Sequence, residues 1–343
     1  MEPTQTQKVD LKPVLRSLMS MRESTLFIVI VVSFIAMSFA SPFFLSPQNL
    51  ESMFLGLSVE GIISIGMVVL LVAGGLDLSV GSNLAFTGVV VGLCLTNGVP
   101  LIPSIIIALI AAFACGAANG ILIARMNLNP FITTLGMQMF LKGAMLLLAN
   151  GKSILGLPDS FNAIGQGRLL GIQYPVYILI ILIVVFELTL RRSRILRTSY
   201  YVGGNENAAR LSGIKVNRVK IGIYSLTGIM AGLAGIIITA RFGSSSVTVG
   251  PGVELRVLAA CIIGGASLSG GEGTVLGAFL GAFFMQLLST SLNLLNVNIY
   301  VQTLVTGAIL ILAIMLDQLN EKRKISKAIA HAERTLMRED SSV

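Results

Sequence analysis

Tryptophan is missing from this 343-residue sequence, histidine occurs once, and Asp, Glu, Lys and Arg together make up only 12% of it. Each shortage closes off some chemistry. The single histidine, His331, stands in a charged tail and leaves little for acid–base catalysis. Cys94, Cys115 and Cys261 fall in separate apolar runs without metal-ligand spacing, so they read as small buried hydrophobes rather than a disulfide or a metal site. Neither H-E-x-x-H nor G-x-S-x-G occurs. The stretch NGKS, Asn150 to Ser153, has the tail of a phosphate-binding loop, but Leu146 stands where that loop needs a glycine. The chain is therefore not expected to be an enzyme. Any work it does draws on an ion gradient or on a separate ATPase.

What is abundant is apolar sequence. Hydrophobic residues make up 54%, and the mean hydropathy is +0.87. They come in long runs, which points to a bilayer as solvent and to α-helices rather than a β-barrel. Ten runs lie near residues 25–39, 53–73, 80–96, 100–124, 130–149, 174–190, 219–240, 253–266, 273–290 and 300–317. The net charge of +8 gathers on one side of that layout. If the N-terminus is cytoplasmic, the basic stretch from Arg191 to Lys220, Arg125 and the tail from Lys322 to Lys327 all fall inside, as the positive-inside rule requires. The expected fold is an all-α polytopic membrane protein of about ten spans with both termini in the cytoplasm. A cytoplasmic segment (1–23) would precede a membrane domain (24–319, with an inner loop at 191–218) and a cytoplasmic tail (320–343). The start of the chain also has elements of a signal peptide. Its head is long for one and the chain stays apolar afterwards, so anchoring is the simpler account. In the tail, Ile325, Ala328, Ile329, Ala332 and Leu336 have helical spacing, compatible with a surface helix or a solvated tail.

The chain interrupts its apolar runs twice in the same way. GGLDLSVGS (Gly74 to Ser82) and GGASLSGGE (Gly264 to Glu272) share the frame G-G-x-x-L-S-x-G. NLNPFITTL (Asn127 to Leu135) and NVNIYVQTL (Asn296 to Leu304) form a second, weaker pair. Both suggest an internal duplication, parallel or inverted, with an insertion in one half. The frames read as breaks between helices, with Asp77 or Ser79, and Ser267 or Ser269, able to cap the helix that follows. Breaks of this kind line a wet path or turn the chain at the membrane surface. In the first reading the path residues are Gly74, Gly75, Asp77, Ser79, Gly81, Asn83, Gly264, Gly265, Ser267, Ser269 and Gly271. Further polar candidates are Thr87, Asn119, Thr133, Thr134, Gln138, Gln286 and Asn293, each of which also suits a bond between helices. Of the ionisable residues in spans, Glu60 and Lys142 are expected to be deep, Glu187 near the inner end, and Glu254 and Arg256 near the outer end of a span.

The inner loop YYVGGNENAARLSGIKVNRVK, Tyr200 to Lys220, predicts a short helix capped by Asn205 and ended by Gly213, with small alanines suited to seating in a partner's groove. Here the sequence resembles the permease subunits of ribose-type bacterial ABC importers, within the branched-chain-amino-acid/sugar permease superfamily. GGLDLSVG, GGNENAARLSGI and VLAACIIGGASLSGGEGTVLGAFLGA are similar to that family's motifs, in order, over about residues 47–317. The resemblance implies a homodimeric permease in the bacterial inner membrane, a cytoplasmic ATPase partner and an extracytoplasmic sugar-binding protein. ATP and magnesium would belong to the ATPase, with no cofactor or metal on this chain. It also implies that Gly204, Asn205, Glu206, Ala208, Ala209, Arg210 and Gly213 couple to that ATPase. Related permeases carry pentoses, hexoses, autoinducer-type furanosyl signals or nucleosides, and the shared motifs do not separate them. A gradient-driven carrier acting alone is the rival from a different class.

Overall fold

The computed structural model describes residues 22–340 as thirteen helices and one short hairpin. In chain order these are α1 (Arg22–Ala40), α2 (Pro47–Val72), α3 (Val80–Thr96), α4 (Leu101–Met126), α5 (Pro130–Leu148), α6 (Asp159–Gln166), β1 (Arg168–Leu169), β2 (Ile172–Gln173), α7 (Tyr174–Arg192), α8 (Arg194–Gly204), α9 (Glu206–Leu211), α10 (Val216–Phe242), α11 (Val253–Ile263), α12 (Val275–Leu294) and α13 (Ile299–Asp340). Each of the ten apolar runs folds as a helix. Seven of these (α1, α2, α4, α5, α10, α12 and the apolar part of α13) are long and apolar enough to cross a membrane. The helices α3 and α11 and the apolar stretch of α7 (Tyr174–Leu190) are shorter.

Several helix ends follow from single residues. Ser46 accepts a hydrogen bond from Asn49 N (3.4 Å) and Pro47 opens α2. Asn127 takes the left-handed conformation that closes α4, and Asn129 caps α5 by accepting from Phe131 N (2.9 Å) and Ile132 N (3.3 Å). The second N-x-N copy repeats this chemistry. Asn296 is left-handed, and the Asn298 side chain accepts from Tyr300 N (2.9 Å).

The centre of the bundle is α2, buried along most of its length and packed by α7, α10, α11 and α12. The most extensive helix pairing is α4 with α10, where Gly116 and Gly228 let the backbones meet. By contrast α1, α5 and α13 expose apolar side chains such as Phe27, Met139 and Ile311 over most of their surface. Such a surface suits lipid, where chain association gains from close packing and not from apolar burial.

Two helix–frame–helix units lie side by side: α2, the first frame and α3; α11, the second frame and α12. The pairs Glu60–Arg256 and Ser64–Cys261 advance together along α2 and α11, so the two units run in the same sense. Between frame and N-x-N the first copy holds α3 and α4 and the second only α12, so the insertion amounts to a whole helix.

The loop after α5 carries α6 and the hairpin, with Arg168 paired to Glu51 at 2.6 Å. Residue 319, expected as the end of the membrane domain, lies inside the unbroken helix α13. The side chains of Ile325, Ala328, Ile329, Ala332 and Leu336, and residues 1–21 of the N-terminal segment, lie outside the described residues.

Candidate functional site

In the first frame the chain leaves α2 through Gly74, whose φ is +73°. Asp77, buried to 1% exposure, then organises the turn. Its Oδ1 accepts from Ser79 N (2.8 Å) and Ser79 Oγ (2.6 Å). Asn119 of α4 donates to both Asp77 oxygens (3.4 and 3.3 Å) and to Ser79 Oγ (2.9 Å). The Tyr224 hydroxyl of α10 donates to Leu76 O (3.1 Å) and accepts from Leu76 N (3.3 Å). A non-helical stretch is thus satisfied by neighbouring helices, the condition for its survival away from water. Asn83 donates to Ala112 O and Gly228 O, both at 3.3 Å, tying α3 to α4 and α10.

The second frame uses the same plan with different donors and acceptors. Ser267 stands where Asp77 stands, and its Oγ accepts from Ser269 N (3.3 Å). The carboxylate comes from another helix: Asp317 of α13 accepts from Ser267 Oγ (3.3 Å) and Leu268 N (3.1 Å). Neither Ser267 nor Ser269 caps the next helix, contrary to the expectation from the sequence. Two glycines with positive φ, Gly270 and Gly271, extend the turn, and Thr274 caps α12 by accepting from Gly277 N (2.9 Å). In the first frame, too, the Ser79 side chain makes no capping bond, and Asp77 holds the Ser79 amide instead.

The two frames meet at one end of the bundle. Gly271 N donates to Val72 O at 2.8 Å, linking the second frame to the end of α2. Gly203, at the end of α8, fits into this junction because it lacks a Cβ. A methyl group there would overlap Val72 O and stand 2.8 Å from Gly271 N. Tyr200, one turn earlier, donates to Gly273 O at 2.6 Å. The expected path residues divide by exposure: Gly74 and Ser269 are exposed, Gly75, Gly265 and Gly271 half-buried, and Asp77, Ser79, Gly81, Asn83, Gly264 and Ser267 buried.

Beside this junction α9 forms as the sequence suggested. Asn205 Oδ1 accepts from Ala208 N (2.9 Å), and Gly213 has a φ of +82°. Ala209 is buried against Val202 and Val216, whereas Gly204, Asn205, Ala208, Arg210 and Gly213 are exposed. Glu206 pairs with Arg210 (2.7 Å) and Lys220 (2.6 Å), clamping α9 to the start of α10. Partial burial works against this charge, but donation from Lys220 and Arg210 outweighs it and holds the Glu206 carboxyl below the usual carboxylate range. A groove of about 400 Å³ between α8 and α9 is lined by Tyr201, Asn205, Ala208 and Ser212, and Leu211 beside it is 91% exposed.

Arg256 and Glu254 differ from expectation, whereas Glu60 is buried at mid-helix as expected. Arg256 does not lie near an end of the bundle; its Nε donates to Glu60 Oε1 at 2.6 Å, level with the middle of α2. Glu254 is buried, and its Oε1 accepts from Gln138 Nε2 (3.0 Å) and Gly252 N (3.2 Å). The reason is that residues 245–252 run back into the bundle along α3. Ser245 lies beside Gly92, and Gly250 packs on Gly81, so α11 begins deep. Lys142 is exposed on α5. Sequence reasoning also missed Asp317, Tyr200 and Gly203. Only the doubled glycine at 203–204 gave a sequence signal.

Residues 49–314 match the family model described as branched-chain amino acid transport system / permease component. The chain belongs to this permease family. It is 37% identical to the ribose import permease protein RbsC of Bacillus subtilis, covering 85% of this chain and 90% of that one. It is 35% identical to the L-arabinose ABC transporter permease protein AraH of Azospirillum brasilense, covering 88% and 89%. It is also 33% identical to the autoinducer 2 import system permease protein LsrC of an Enterobacter species, covering 88% of each. No solved structure matches the permease. Family membership and seven apolar helices make the permease an integral protein of the bacterial inner membrane.

Proposed function

We propose that the chain is the membrane subunit of an ATP-binding-cassette importer and passes a ribose-like monosaccharide handed over by an extracytoplasmic binding protein. Relatives named for ribose and L-arabinose support a pentose, and the relative named for autoinducer 2 makes a furanosyl signal the second choice. The observation that carries the reading is Gly203, which packs the α8–α9 segment directly onto both frames. A force on α9 therefore has a short physical route to both breaks.

In this reading the permease works as a homodimer with ten passes per copy and both termini in the cytoplasm. The basic residues around α8 and α9 support an inside placement of that end. A cytoplasmic ATPase docks on the groove beside α9 through Gly204, Asn205, Glu206, Ala208, Arg210 and Gly213 and supplies the ATP and magnesium, while Ala209, which the sequence also suggested as a contact, is buried against Val202 and Val216 and only seats α9 on its neighbours. Its hydrolysis step moves α9 and α8 and, through Gly203 and Tyr200, reshapes the frames. The exposed and half-buried frame residues (Gly74, Gly75, Gly265, Ser269 and Gly271) face the inner mouth of the path. The buried ones (Asp77, Ser79, Gly81, Asn83, Gly264 and Ser267) hold the breaks in shape. Selectivity rests largely with the binding protein, which suits a chain without tryptophan.

The test is uptake of a labelled sugar panel by cells that keep the ATPase and binding protein, with and without this chain. Uptake of ribose or arabinose that depends on the chain is expected. No dependence for any sugar would refute the reading.

A further inference from the structure

The α4–α10 pair carries a groove of about 510 Å³ on its surface. Gly116 lies against Gly228 and Gly120 against Ile221, so the two helices run antiparallel. That alignment brings Arg125, in the last turn of α4, to the same end as Arg218, in the first turn of α10. Both arginines line the groove and both are exposed. Among the described residues neither makes an ion pair or a hydrogen bond.

Away from the arginines the walls are apolar. Phe113, Ile221, Leu226 and Ile229 supply them, and Ser225 turns its hydroxyl to its own helix, donating to Ile221 O at 2.8 Å. Gly222 keeps the groove open: a Cβ there would meet nothing within 4 Å. Phe113 and Ile229 each lie about three turns from the arginine on their own helix, roughly 17 Å at 1.5 Å per residue. Half of a hydrocarbon core is about 15 Å. The groove is therefore charged at headgroup level and apolar from there to the midplane, over the depth of one leaflet.

We propose that this groove binds one anionic phospholipid, with the phosphate held by Arg125 and Arg218 and an acyl chain lying along Ile221, Leu226 and Ile229 towards Phe113. Guanidinium groups meet phosphate oxygens through paired, charge-assisted N–H donors. Basic pockets between membrane helices take such headgroups. A free phosphate would leave the apolar length uncovered. A second copy seated symmetrically over the groove would set these arginines against their own counterparts. A lipid alone matches both parts. The site does not depend on which solute the permease carries. It braces the start of α10, to which the Glu206–Lys220 pair ties α9.

The chain has no tryptophan, so a single introduced one reports on its own surroundings. The full chain carrying Phe113→Trp is reconstituted in phosphatidylcholine vesicles with rising fractions of dibrominated phosphatidylglycerol or dibrominated phosphatidylcholine. Phe140→Trp, exposed and about three turns into α5, is the control. Half-maximal quenching at 113 should need about tenfold less of the phosphatidylglycerol, whereas at 140 the two lipids should act alike. Adding Arg125→Gln with Arg218→Gln should abolish the preference at 113, and so should Gly222→Leu, which fills the groove. Equal quenching by both lipids at 113 overturns the proposal. So does a preference that survives either change, or no quenching at 113 by either lipid, as under a second copy. Should the tryptophan variants fail to assemble, thermal scans serve. Phosphatidylglycerol should raise the unfolding temperature of the unmodified chain and not that of Arg125→Gln with Arg218→Gln; an equal rise in both, or none in either, overturns the site.

Discussion

At the scale of single residues, two carboxylates do one job from different places. Asp77 sits within its frame, and Asp317 reaches the other frame from α13. Each holds a backbone amide that no helix satisfies. Removing either leaves buried donors unpaired, at a cost of about 1–3 kcal/mol. Asp77→Ala and Asp317→Ala should therefore each lower the unfolding temperature of the purified protein, and Asp77→Asn, which keeps an acceptor, should lower it less. Equal stability of Asp77→Ala and the unmodified chain in a thermal scan would remove this role. Glu206 offers a pH prediction. Its folded pKa is depressed, so its clamp on α9 is complete above the unfolded glutamate value of about 4.3 and is lost as pH falls through the lower folded value. Protection of the α9 amides, taken relative to their intrinsic exchange rates at each pH, should fall on acidification below that value, and Glu206→Gln should show the lower protection already at neutral pH.

At the scale of elements, the decisive contact is between α8 and the two frames. Gly203→Val would force its side chain into Val72 O and Gly271 N. The strain of such overpacking is about 1–3 kcal/mol, enough to lever the frames apart without unfolding the bundle. Uptake should fall at least tenfold while the ATPase continues to hydrolyse ATP; full uptake by this variant would exclude Gly203 from coupling. Much at this scale was readable in the sequence. The apolar runs gave ten of the thirteen described helices, and Asn205 and Gly213 gave both ends of α9, because hydropathy and capping are local, whereas α6 and α8 were not read. The depth of α11 was not readable. Hydropathy counts residues along the chain, and the irregular descent from Ser245 to Gly252 uses up length without looking different from a surface loop. The Asp317 contact was hidden for a related reason: it joins residues fifty positions apart.

At the scale of the whole molecule, the two helix–frame–helix units run in the same sense and touch at the end that carries α8 and α9. A single loop can then act on both halves together, as an ATP-driven pump requires and a self-contained carrier does not. The exposed apolar faces of α1, α5 and α13 leave room for lipid and for a second copy around this centre. Driven uptake is the property that separates this account from a gradient-driven carrier. The most direct test is ribose uptake into liposomes that contain the purified chain, with its ATPase and binding protein added together or left out. The account predicts uptake only when both partners and ATP are present. Uptake by the chain alone, down or against an imposed ion gradient, would contradict it.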